Sequence, residues 1–232
     1  MRAPSRESLP SRIEHVKQRI AHAAQIANRD QSEVTLIAVS KSVDRRAMDD
    51  AYALGTREFG ENRVQDAAVK LQDPLPAEAR LHMIGSLQSN KVKQALHLFD
   101  LIHSVDRLSL VVELSRQATK REMEIDVLLQ VNVARETQKA GCDPDEALGL
   151  ARSIMEATGV NLHGLMTIAP LVDNPEQVRS LFASLGTLRS DLESALNGFS
   201  LPVLSMGMTN DFQVAIEEGA THVRVGRAIF GG

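Results

Sequence analysis

Leu36-Ile37-Ala38-Val39-Ser40-Lys41 is an apolar, β-rich run that breaks off at a lysine. So short a run with no polar alternation reads as a strand buried on both faces, the kind that parallel sheets use. The lysine has two readings. Strand-end lysines commonly face water. If Lys41 is instead partly buried at the mouth of a barrel, desolvation favours the neutral amine, the form that makes a Schiff base with an aldehyde. The rest of the chain has to decide between them.

Outward from this run, one pattern repeats. Leu9, Ile13, Val16 and Ile20, continued by Ala23, Ala24 and Ala27, predict an amphipathic helix over 8–28 before the first strand at 34–40. Val43, Ala47, Ala51 and Leu54 mark a helix stopped by Gly55, and 58–61 is a short second strand. A helix over 64–71, a strand at 81–85, a helix at 89–98 and a strand at 101–105 follow. The next helix, 106–119, has Leu108, Val111, Val112 and Ala118 as its apolar positions, and 125–133 is the longest apolar run. Asp143-Pro144-Asp145-Glu146 reads as an N-cap, a first-turn proline and a capping-box glutamate, and Asn174-Pro175-Glu176-Gln177 repeats the signal. Between them lies a strand at 161–168. Beyond them lie a strand at 203–206, a helix at 209–218 capped by Thr209, and a strand at 222–229. Eight strands separated by helices predict an α/β fold, a single (β/α)8 TIM barrel with an extra N-terminal helix. An open doubly wound sheet would call for a glycine-rich fingerprint after its first strand, and Ser40-Lys41-Ser42 has none.

Composition narrows the function. The chain has 232 residues, 43% hydrophobic and 24% charged, with a net charge of −4. That carries no electrostatic footprint for nucleic acid or an anionic membrane. Lys91-Val92-Lys93 reads as a solvated helix face. A lone cysteine, Cys142, excludes an internal disulfide and a cysteine-based zinc cluster, and the seven histidines show no metal-ligand spacing. The polar start and the absence of a long apolar run predict no secretory signal and no transmembrane helix, so a cytoplasmic protein is expected.

In a barrel of this class the chemistry sits at the C-terminal ends of the strands. Lys41 falls there on the first strand and Glu61-Asn62 on the second. Ser205-Met206-Gly207-Met208-Thr209 after the seventh strand and Val225-Gly226-Arg227 after the eighth match the usual place of a phosphate site. Their glycines let backbone N–H groups approach an anion, and the hydroxyls add donors. The alternative is that the glycines only serve tight turns. Alternation puts His222, Arg224 and Gly226 on one face of the eighth strand, without saying whether that face points inward. An arginine inside a barrel needs partners, and toward a pyridine nitrogen it can only donate. His82, His103 and His163 read as structural strand histidines, and Met166 could pack on a flat ligand.

Six co-linear segments resemble one known family. They are Ala38-Val39-Ser40-Lys41, Phe59-Gly60-Glu61-Asn62-Arg63-Val64-Gln65, His82-Met83-Ile84-Gly85-Ser86-Leu87-Gln88-Ser89-Asn90-Lys91, Gly164-Leu165-Met166, Ser205-Met206-Gly207-Met208-Thr209 and Val223-Arg224-Val225-Gly226-Arg227-Ala228-Ile229-Phe230-Gly231. Together they resemble the pyridoxal phosphate homeostasis (YggS-type) proteins, whose fold is like the N-terminal domain of alanine racemase. The resemblance implies that residues 1–232 form a single PLP-binding barrel domain, with pyridoxal 5′-phosphate held as an aldimine on Lys41. It implies Arg224 as partner of the pyridine nitrogen, Asn62 beside the ring, and Ser205, Gly207, Thr209 and Gly226 on the phosphate. Ser86 stands where the family often has proline and Thr209 where it often has serine.

The same resemblance implies a non-catalytic role in PLP homeostasis, with PLP-requiring apoenzymes as candidate recipients and a monomeric state. The alternative is a PLP-dependent amino-acid racemase, which needs acid–base groups on both faces of the cofactor. The related racemase uses a tyrosine from a second domain, whereas the sole tyrosine here is Tyr52, in the 43–54 helix. A third reading, a Schiff-base aldolase on the same barrel, predicts a colourless protein.

Overall fold

Eight parallel strands pair in chain order and the last closes on the first: β1 Thr35–Val39, β2 Glu58–Glu61, β3 Arg80–Met83, β4 Leu101–Val105, β5 Ile125–Gln130, β6 Val160–Met166, β7 Val203–Met208 and β8 His222–Val225. Closure comes from Leu36 beside Val223 and Ala38 beside Val225. The computed structural model describes residues 7–136 and 140–231. The predicted TIM barrel is therefore what the chain forms.

Helices occupy every gap: α1 Leu9–Ile26 before the barrel, then α2 Arg45–Ala53, α3 Val64–Lys70, α4 Val92–Ala95, α5 Leu108–Lys120, α6 Ala147–Glu156, α7 Arg179–Ala195, α8 Phe212–Glu217 and, after β8, α9 Arg227–Phe230. α1 buries Ile13, Val16, Ile20, Ala23 and Ala24 against α8 and α9. It ends where Asn28 takes a left-handed conformation, φ 53°, which asparagine tolerates better than most residues. Arg29 then donates to the carbonyls of Ile216 and Ala220 at 3.0 and 2.8 Å, satisfying buried carbonyls at and just past the C-terminal end of α8. None of the described helices is long and apolar enough to cross a membrane.

Several boundaries differ from the sequence reading, each for a local reason. β8 stops at Val225, because Gly226 turns the chain into α9 instead of extending to residue 229. β5 stops at Gln130, after which Val131 only bridges Cys142. Asp143 accepts from the N–H of Asp145 and starts a 3-10 turn, not a capping box, so α6 begins at Ala147. On α5 the buried stripe is Leu110, Val111, Leu114 and Ala118, while Leu108 and Val112 face solvent. Thr209 does not cap α8. That helix begins three residues later, and Asp211 precedes it, its Oδ1 accepting from the Met208 N–H at 2.6 Å.

Candidate functional site at the barrel mouth

The strand ends and following loops enclose a cavity of about 530 Å³. Lys41, Asn62, Thr209, Arg224 and Gly226 line it, five of the eight residues singled out from sequence. Lys41 stands one residue beyond Ser40, whose backbone N–H is tied to the Gly60 carbonyl at 2.9 Å. Its Nζ makes no hydrogen bond or ion pair among the described residues, and the side chain is exposed. The protein's own atoms therefore do not meet the burial condition that the sequence reading attached to a neutral amine. What they provide is an amine without a competing carboxylate.

The contrast with Lys70 is direct. Its Nζ donates to the Ser40 carbonyl and to Glu61 Oε1, both at 2.8 Å, while Ser40 Oγ donates to the same Glu61 oxygen at 2.7 Å. Glu61 is thus turned away from the cavity and buried beneath the backbone that carries Lys41. Alternation on so short a strand gave no warning of a partner nine residues on.

Arg224 settles the orientation that alternation left open. It points into the barrel, is 4% exposed, and donates from Nη1 to Ser205 Oγ at 2.6 Å and from Nη2 to the Thr167 carbonyl at 2.8 Å. Burial lowers its pKa to about 10, offset in part by Asp211, so near neutral pH it remains a cation and can only donate. Asp211, missed in the sequence, also lines the cavity; burial raises its pKa.

Three expected residues lie elsewhere. The Ser205 side chain is fully buried between Arg224 and His103, and Met166 packs with Leu101 and Leu128 inside the barrel. Gly207, at φ 91°, lies where a Cβ would come within 2.6 Å of Ala215 Cβ, so it serves the packing of α8 on β7. Gly226 does line the cavity; a Cβ there would press on Val39 at 3.2 Å. Sequence reasoning also missed the apolar wall of Ile168, Pro170, Leu171 and Val172 on the loop after β6, because such a loop has no periodicity to reveal it.

The sequence pattern of the family described as "Alanine racemase, N-terminal domain" matches residues 12–232. The pyridoxal phosphate homeostasis protein of Aquifex aeolicus is 41% identical over 220 residues, 95% of this chain and 96% of its own. The chain belongs to the pyridoxal phosphate homeostasis family. The corresponding Pseudomonas aeruginosa protein is 39% identical over 224 residues, 97% of this chain and 95% of its own. Among solved structures, PipY of Synechococcus elongatus with PLP bound superposes with a TM-score of 0.84 at 36% identity, covering 97% of this chain and 100% of that one. The donor set at the mouth suits such a ligand: a free amine for an aldehyde, a guanidinium for a ring nitrogen, a hydroxyl for a phosphate.

The tyrosine expected of a racemase is out of reach. Tyr52 donates to Glu78 Oε2 at 2.8 Å on the outside of α2, with Arg57 stacked 4.1 Å from its ring. Cys142 is buried, which pushes its thiol up to about 12 and leaves it inert as a nucleophile.

Proposed function

We propose that this chain, as a single domain over residues 1–232, binds pyridoxal 5′-phosphate at the barrel mouth and serves intracellular PLP homeostasis without robust turnover. The observation that carries this is an unpaired amine, Lys41, in the same cavity as a buried, donor-only arginine, Arg224. When bound, the cofactor supplies an aldehyde that condenses with a primary amine, losing water. Lys41 is the amine we assign to it, and Arg224 the donor to the ring nitrogen. A ring nitrogen that only accepts stays unprotonated and makes a weaker electron sink, which fits holding better than turnover.

Asn62 borders the ring in this reading, and Thr209 and Gly226 meet the phosphate. Ser205 acts through Arg224, Gly207 shapes the turn that presents Thr209, and Met166 backs the barrel interior. The protein works in the cytoplasm as a monomer and hands PLP to apoenzymes that need it. The names of the relatives are those of homeostasis proteins, and among the described residues no tyrosine lines the cavity to serve a second catalytic face.

The test is colour and capture. The purified protein is expected to be yellow, and borohydride should fix one pyridoxyl group on Lys41, read by peptide mass. Lys41→Ala should abolish the capture. A colourless protein with nothing captured sinks the assignment and favours the aldolase. Robust racemisation or transamination of any amino acid in a substrate panel would overturn the carrier role.

A further inference from the structure

The barrel interior holds a continuous polar chain that the cavity does not explain. Arg224 Nη1 contacts Ser205 Oγ at 2.6 Å, Ser205 Oγ lies 2.9 Å from His103 Nδ1, His103 Nε2 lies 2.9 Å from His82 Nδ1, and His82 Nε2 lies 2.6 Å from Glu58 Oε2. Ser205, His103, His82 and Arg224 are each at most 4% exposed. Glu58 opens β2, so it stands at the end of the barrel opposite the cavity, with its side chain 24% exposed.

The chemistry of the groups gives every proton in this chain a direction. A guanidinium only donates, so Ser205 Oγ accepts from Arg224 and its single O–H is left to donate. His103 Nδ1 is its acceptor and therefore carries no proton. Neutral His103 then holds its proton on Nε2 and donates to His82 Nδ1, which leaves His82 Nε2–H to donate to the Glu58 carboxylate. Reversing the chain would leave the Ser205 hydroxyl proton with no partner in a fully buried position, which is unfavourable. Burial above all, with the nearby Arg224 cation, holds His103 well below the ordinary histidine pKa, in keeping with a neutral ring.

We infer that Glu58, His82, His103 and Ser205 form a one-way hydrogen-bond relay that locks Arg224 as a fixed donor to the cavity, with Glu58 as a positioning residue at the far end of the barrel. The inference builds on the cofactor reading above, in which Arg224 faces the bound ring. An arginine has several rotatable bonds whose freedom must be lost on binding, and a chain of donors ending in a carboxylate removes that loss in advance.

Two measurements test it. In protein labelled with nitrogen-15 histidine at pH 7, His82 and His103 should both show the Nε2–H tautomer. Nδ1–H or doubly protonated rings would overturn the relay without reference to any ligand. Second, Glu58→Leu, which touches nothing in the cavity, should weaken PLP binding about fivefold, the factor carried by one net hydrogen bond, and shift the absorption of the bound chromophore. Borohydride should still capture the cofactor on Lys41. Glu58→Gln keeps the acceptor for His82 and should restore both readouts. Should Glu58→Leu fold poorly, Ser205→Ala with Ser205→Thr as rescue makes the same comparison. Wild-type affinity and spectrum in the folded Glu58→Leu or Ser205→Ala protein would overturn the inference. If wild-type protein captures no PLP, the cofactor reading falls, and the tautomers decide the relay alone.

Discussion

Lys41 and Lys70 show how much one residue's surroundings decide. Both are lysines near the end of β1, yet only Lys70 is committed, to Glu61 and to the carbonyl that precedes Lys41. Glu61 is 1% exposed and its second oxygen has no partner, so the ammonium is what makes its burial tolerable. Lys70→Met should therefore destabilise the protein by about 3–5 kcal/mol, because it strands a buried charge. Adding Glu61→Leu should recover much of that loss. Urea midpoints of the two single variants and the double variant check it, and simple additivity would refute the coupling. No spacing rule pairs residues 61 and 70 across a strand, a loop and a helix. Lys41 was legible because it ends an unmistakable strand.

At the scale of elements, the turn from β7 into α8 is where sequence patterns were least reliable. The hydroxyl of Thr209 resembled a helix cap, but Asp211 closes the turn and α8 is short. Both glycines of the expected phosphate loops looked alike in sequence. The structure separates them: Gly207 is left-handed and pressed on Phe212 and Ala215, whereas Gly226 merely touches Val39. Gly207→Ala should cost about 2–4 kcal/mol from backbone strain and overlap together, and should drive α8 off β7. Gly226→Ala should cost about 1 kcal/mol or less in stability, since its contacts need only a small shift, while still narrowing the cavity. Thermal melts of the two variants, with amide exchange over 208–217, distinguish them. Equal losses would show that the tight approach at Gly207 is not what the fold requires. The helix stripe of α1, by contrast, was readable, because one face is buried along its full length.

The whole molecule is organised around an interior with a polar centre, where three histidine rings from β3, β4 and β8 lie within 6.5 Å of one another, centre to centre. This makes stability depend on pH. Burial is the largest cause that depresses His222, to about 4, and it places His103 well below 6.5. Unfolded histidines take up protons below pH 6.5 while these two stay neutral in the fold, so the unfolded state binds more protons and stability falls with falling pH. The loss should begin near pH 6.5 and reach on the order of 3 kcal/mol from His222 alone by pH 4. Urea unfolding at several pH values between 7 and 4 checks it; a flat profile would mean that the rings take up protons as readily in the fold as in the unfolded chain. His222→Phe should reduce the slope. Periodicity and chain order by themselves determined the eight strands, their helices and the end of the barrel where chemistry sits, because each is a local consequence of which residues can be buried on a two- or 3.6-residue repeat. Only the closed tertiary structure decided which face of β8 turns inward, that Ser205 serves Arg224 and not the cavity, and that Glu58 is wired to it through two histidines. Those facts depend on side chains from β2, β3, β4, β7 and β8 meeting inside the barrel, far apart in sequence and adjacent only once the sheet has closed.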